Sequence, residues 1–106
     1  MKQYRVLLNQ DGINIIPTII ANSFTGGISI NRGDVGYHTV DSTNNEFTIG
    51  KTFVTVGNNY RQRAFLGTVA NKETNIVELH ATFDEVYSDV NVIEQNNLEL
   101  LIEVFP

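Results

Sequence analysis

The feature that most restricts what this chain can fold into is a two-residue rhythm of polarity near its C-terminus. In residues 98–105, Leu98, Leu100, Ile102 and Val104 share one parity, while Glu99, Leu101, Glu103 and Phe105 share the other. Residues 75–83 repeat the rhythm, with Val77, Leu79, Ala81 and Phe83 set against Glu78, His80 and Thr82. Successive side chains of a strand point to opposite faces, so each segment reads as a strand with one side on a core and one in water. A helix would scatter both sets around its circumference.

Shorter runs of the same character lie between clusters of glycine and asparagine. Residues 4–9, 15–21, 28–32, 36–41, 51–57 and 63–70 read as strands. Pro17 has no N–H for a sheet ladder, which argues for an edge strand or a bulge there. Gly33 and Asp34 suit a hairpin link, residues 41–46 a polar loop, and Thr52, Val54 and Val56 share one face of their strand. Residues 84–97 admit either a short helical face of Val86, Val90 and Ile93 or a short strand near Val90 to Ile93. Valine, isoleucine and threonine fill 32 positions and alanine only 4, a bias toward side chains that pack on a pleated surface. The expected fold is all-β: one antiparallel β-sandwich or small barrel-like jelly roll over residues 1–106, with about seven to nine strands.

Composition narrows the chemistry. With no cysteine, the chain has no disulfide, thiolate metal site or cysteine nucleophile. The apolar run at residues 6–8 is too brief for a signal peptide or a membrane span, so synthesis in the cytoplasm without membrane attachment is expected. Net charge is −5, and every lysine and arginine precedes Glu73, from which to the C-terminus there are eight carboxylates. Such a chain lacks the basic patch that nucleic-acid binding requires.

Catalytic and metal-binding patterns are weak, and neither cofactor nor metal is expected. His38 and His80 fall on strands without partners at ligand spacing; both read as ordinary strand side chains, with Tyr37 rather than His38 as the core residue. Asp84, Glu85 and Asp89 could gather around calcium, but their order matches no ligand loop. Glu78 with Glu99 or Glu103 could imitate a glycosidase pair, although outward glutamates on an exposed sheet explain them more simply. No serine sits in a nucleophile motif, and Gly26-Gly27 and Gly33 with Gly36 read as turn glycines rather than a phosphate cradle. Arg32-Gly33-Asp34 spells a tripeptide that integrin ligands display on a loop, a match too short to carry adhesion. Residues 57–65 concentrate Tyr60, Arg61 and Arg63, types enriched at binding hot spots, while Leu101 and Phe105 offer outward apolar anchors. These five residues are the expected interface, through which a basic loop on one copy could meet acidic strands on the next.

Tyr4-x-Val6-x-Leu8-x-Gln10-x-Gly12, then Pro17, Gly26-Gly27, Arg32, Gly36-Tyr37 and Lys51-Thr52-Phe53-Val54-x-Val56-Gly57-Asn58, resembles a small all-β module of bacteriophage and prophage virion proteins. That group includes capsid-decoration, head-fibre and tail-associated proteins. The resemblance covers little more than half the chain, and its tokens are turn and strand residues with no active site among them. It implies a non-enzymatic virion structural protein, made in the host cytoplasm and built into particles as an oligomer or in lattice copies. Its implied partners are the major capsid protein or fibre and tail proteins. The alternative is a carbohydrate- or surface-binding sandwich, against which the absence of tryptophan counts.

Overall fold

The computed structural model describes residues 1–11, 13–57, 65–83, 86–87 and 98–106, with side chains described outside 65–72, 81–83 and 86–87. Nine strands occur among them: β1 (Lys2–Asp11), β2 (Asn14–Asn22), β3 (Ile28–Asp34), β4 (Tyr37–Ser42), β5 (Thr52–Gly57), β6 (Phe65–Glu73), β7 (Ile76–Phe83), β8 (Val86–Tyr87) and β9 (Leu98–Val104). They form two antiparallel sheets, one in the order β2-β1-β9-β5 and one in the order β3-β4-β7-β6, with β8 paired to the end of β7. The fold is an all-β sandwich, as the two-residue rhythm requires.

The register explains which face each strand buries. On β1, Tyr4, Val6 and Leu8 pair with Ile102, Leu100 and Leu98 on β9, and all six are buried. On β4, Val40 pairs with Val77, and His38 with Leu79, to make the facing layer. Ile28, Ile30, Val54 and Val56 pack half-buried around this core. Each fully buried aliphatic side chain contributes about 1.5–3 kcal/mol, so the alternation of β1, β7 and β9 sets the main driving force for the fold. Pro17 lies on β2, an edge strand as expected, and a bulge at Ile20 shifts the pairing between Arg5 and Val6.

Two expectations are corrected. His38 is buried at 1% exposure, while Tyr37 lies half-buried on the outer face. The phase is fixed by pairing, because His38 lies opposite the inward Leu79, and its Nε2 sits 3.0 Å from Gln10 Oε1 on the opposite sheet. Strand β3 also continues through Gly33 to Asp34, so the hairpin turns at Val35 and Gly36 and the Arg32-Gly33-Asp34 tripeptide lies within the strand. Gly36 adopts φ 67°, which favours glycine, and a side chain at Gly33 would meet the Tyr37 ring at 2.8 Å.

One end of the sandwich is closed by the crossover loops, residues 23–27 and 43–51. Phe24 and Phe47 meet edge to face at 5.6 Å there. Glu46, expected in a solvated loop, is instead a buried carboxylate that ties these loops to β1. Its Oε1 accepts from Lys2 Nζ at 2.8 Å, Thr25 N at 3.1 Å and Thr25 Oγ1 at 2.8 Å, and its Oε2 accepts from Gly26 N at 3.0 Å. Gly26 is required at this approach, since an added Cβ would lie 2.6 Å from Thr43 Oγ1.

Candidate protein-binding face

The outer surface of the β2-β1-β9-β5 sheet carries the candidate site. Because Leu98, Leu100, Ile102 and Val104 turn inward, the alternate residues of β9 must turn out. Leu101 lies between Arg5 on β1 and Thr55 on β5, and Glu103 between Gln3 and Phe53. Phe105 follows the end of β9 and is fixed by its N–H, which donates to the Lys51 carbonyl at 3.0 Å. Its ring meets Phe53 edge to face, with centroids 5.4 Å apart and planes at 88°.

Phe53 and Phe105 remain 56% and 45% exposed. Isolated exposed apolar residues are routine, but two aromatic rings packed on each other in water are the composition of a binding hot spot. Together with Glu103 they line a shallow, almost wholly apolar depression. On the other side of Phe105 a groove of about 410 Å³ has a mixed lining of polar and apolar groups, among them Lys2, Asn45, Glu46, Lys51 and Val104. The site therefore offers an aromatic anchor between a groove whose margin carries Lys51 and the ion-paired Lys2 and Glu46, and the Glu103 carboxylate. Arg5 is held by Glu99 at 2.8 Å, an exposed ion pair worth at most about 1 kcal/mol.

The outer face of the other sheet carries Tyr37, Glu78 and His80. The Tyr37 hydroxyl donates to Glu78 Oε1 at 3.1 Å, His80 Nε2 lies 3.5 Å from Glu78 Oε2, and the Tyr37 and His80 rings meet edge to face. The hydrogen bond to Glu78, then burial and the nearby Glu78 and Asp41 charges, raise the Tyr37 pKa above its ordinary value, so the phenol stays protonated at neutral pH. The adjoining depression, of about 70 Å³, is far below the roughly 300–1,000 Å³ of a small-molecule site. Glu78 and the pair Glu99 and Glu103 stand on opposite outer faces of the sandwich, so they do not form the glycosidase-like pair that spacing allowed. Among the described residues no cluster of three or more His, Asp or Glu side chains could hold a metal.

Of the five expected interface residues, the structure brings Leu101 and Phe105 onto one sheet face. Tyr60, Arg61 and Arg63 lie outside the described residues, as do Asp84, Glu85 and Asp89 of the considered calcium loop. Phe53 is the residue that sequence reasoning missed. Its outward parity followed from the inward Thr52, Val54 and Val56, but its contact with Phe105 depends on the β5–β9 register. No protein-family model, curated protein or solved structure matches this chain.

Proposed function

We propose that this protein is a non-enzymatic binding module that acts through protein–protein contacts on its β9–β5 face, as a structural component of a phage particle. The virion assignment rests on the resemblance of residues 4–58. The contact mode rests on one observation: the Phe53–Phe105 pair stands exposed and packed ring on ring at the β9–β5 side of the sheet. An aromatic side chain carries about 150–250 Å² of surface, so the exposed halves of the two rings amount to about 200 Å². Burying that area against a partner contributes about 5 kcal/mol before the costs of association are subtracted.

The perpendicular rings favour a protein partner over a sugar, because they do not offer two coplanar faces for stacking. Lys51 and Glu103 at the margins give the partner charges to match, which fixes orientation more than affinity. Quantitative mass spectrometry of particles purified from the phage or prophage that encodes the chain tests the assignment. Hundreds of copies per particle are expected for a capsid-decoration protein and a handful for a fibre or tail component. Absence from washed particles overturns the virion reading.

A further inference from the structure

We propose that the wall of the sandwich formed by β2 and β3 is where a second copy of this chain docks, by side-chain packing across a two-fold axis and not by extending a sheet. The inference does not depend on what the β9–β5 face binds, because β2 and β5 are opposite edges of the same sheet.

Residues 12–31 contain no acidic, basic or histidine side chain, in a chain with 7 basic and 12 acidic groups among 106 residues. The fold turns this run into a surface. Strand β2 is the edge of one sheet and β3 the edge of the other; loop 23–27 joins them on the same side of the sandwich, where the two strands touch. Ile13, Ile16, Ile19 and Ile20 are 71%, 49%, 54% and 54% exposed. Nine large apolar side chains are exposed among the described residues, and four of them fall within these eight positions. Register places Ile16 on the outer parity opposite Asn9, and Ile19 on the inner parity opposite Val6, with Ile20 the extra residue of the bulge. The strand is thus apolar on both faces, as befits a surface that is covered.

Addition of a strand is disfavoured by the same residues. Asp11 pairs with Asn14 across two intervening positions, so the alternation of an antiparallel ladder makes Leu8 and Pro17 a non-hydrogen-bonded pair. The Pro17 nitrogen therefore points to the open edge, where it has no hydrogen to donate, and the Ile20 bulge interrupts the ladder again three residues on. An incoming strand would meet a broken row of donors, whereas isoleucine side chains can still pack.

Charge and size identify the occupant. The molecule carries a net charge of −5, so identical copies repel across most of their surface, and the part of the wall before Arg32, which carries no charge, is where they can approach without that cost. Nine residues of β2 extend about 30 Å, and the shortest dimension of the molecule is 21 Å. A wall of about 600 Å² per copy follows, close to the roughly 800 Å² per partner of a standard interface. A two-fold arrangement sets β2 of one copy antiparallel to β2 of the other, so that each isoleucine meets the same patch on its mate.

Analytical ultracentrifugation of the full chain over a concentration series tests this. The wild type is expected to sediment as a dimer at tens of micromolar, and I16K/I20K as a monomer, with dissociation at least a hundredfold weaker and an unchanged β-sheet circular dichroism spectrum. I13K, at the exposed tip of the hairpin, is expected to weaken the dimer to a lesser degree and serves if the double variant does not fold. F53A/F105A is expected to remain dimeric, which separates this surface from the β9–β5 face. A wild-type monomer throughout the series, a dimer that survives I16K/I20K and I13K, or a dimer lost on F53A/F105A would overturn the proposal.

Discussion

Glu46→Gln is the substitution that isolates the clamp at the loop end of the sandwich. The carboxylate side chain is 5% exposed and accepts from Lys2, from both donors of Thr25 and from the Gly26 N–H. The amide is nearly isosteric, but with its oxygen at the Oε1 position its NH₂ confronts the Gly26 N–H, donor against donor. Leaving one backbone donor without its acceptor costs about 1–3 kcal/mol. Loss of the ion pair adds only about 0.5 kcal/mol, because the Lys2 side chain is 44% exposed and solvent screens it. The expected loss at neutral pH is about 2 kcal/mol, which for a domain of this size lowers Tm by about 10 °C.

The pH dependence gives the sharper test. The Lys2 hydrogen bond, followed by those from Gly26 and Thr25, outweighs burial and lowers the Glu46 pKa from 4.5 to about 2. The unfolded chain therefore binds this proton at higher pH than the folded one. Stabilisation by the carboxylate is complete above about pH 4.5 and drains away as pH falls through 2. Urea unfolding of wild type and Glu46→Gln at pH 7, 4 and 2.5 should show the gap between them closing with acid. A gap below 0.5 kcal/mol at pH 7, or one of equal size at pH 7 and pH 2.5, would refute the clamp as the cause.

Two further outcomes are expected. Gln10→Leu removes the acceptor facing His38 Nε2 across the core and should cost about 1–3 kcal/mol, read as a shift of the denaturant midpoint at constant slope. F53A/F105A removes the edge-to-face pair and the buried half of each ring, about 200 Å² together, and should lower stability by about 3–5 kcal/mol while abolishing incorporation into particles; equal incorporation in a competition with wild type would remove the pair from the interface.

The strands were legible where their own alternation was long enough to fix the phase. On β9 all four inward residues and the outward Glu99, Leu101 and Glu103 lie as the sequence indicates, and on β7 so do Val77 and Leu79 against Glu78 and His80. Pro17 marked an edge because a missing N–H has a cost only inside a ladder. On β4 the ring of Tyr37 drew the reading to the wrong parity, although Val40, two residues from both His38 and Ser42, already carried the phase that pairing with β7 enforces. Glu46 offered no local signal at all. Its partners lie 20, 21 and 44 residues away, and only the crossing of the loops brings them within hydrogen-bond distance. The exposed Phe53 has the same origin: its parity is local, but its meaning comes from the neighbour that β9 delivers.

Hydrogen–deuterium exchange of the free protein against the particle-assembled protein tests the β9–β5 face most directly. The account expects slowed exchange concentrated in residues 51–57 and 99–106 on assembly, and loss of that protection in particles challenged with F53A/F105A. Protection confined to the opposite sheet around Tyr37 and Glu78, with residues 51–57 and 99–106 exchanging as in the free protein, would contradict it.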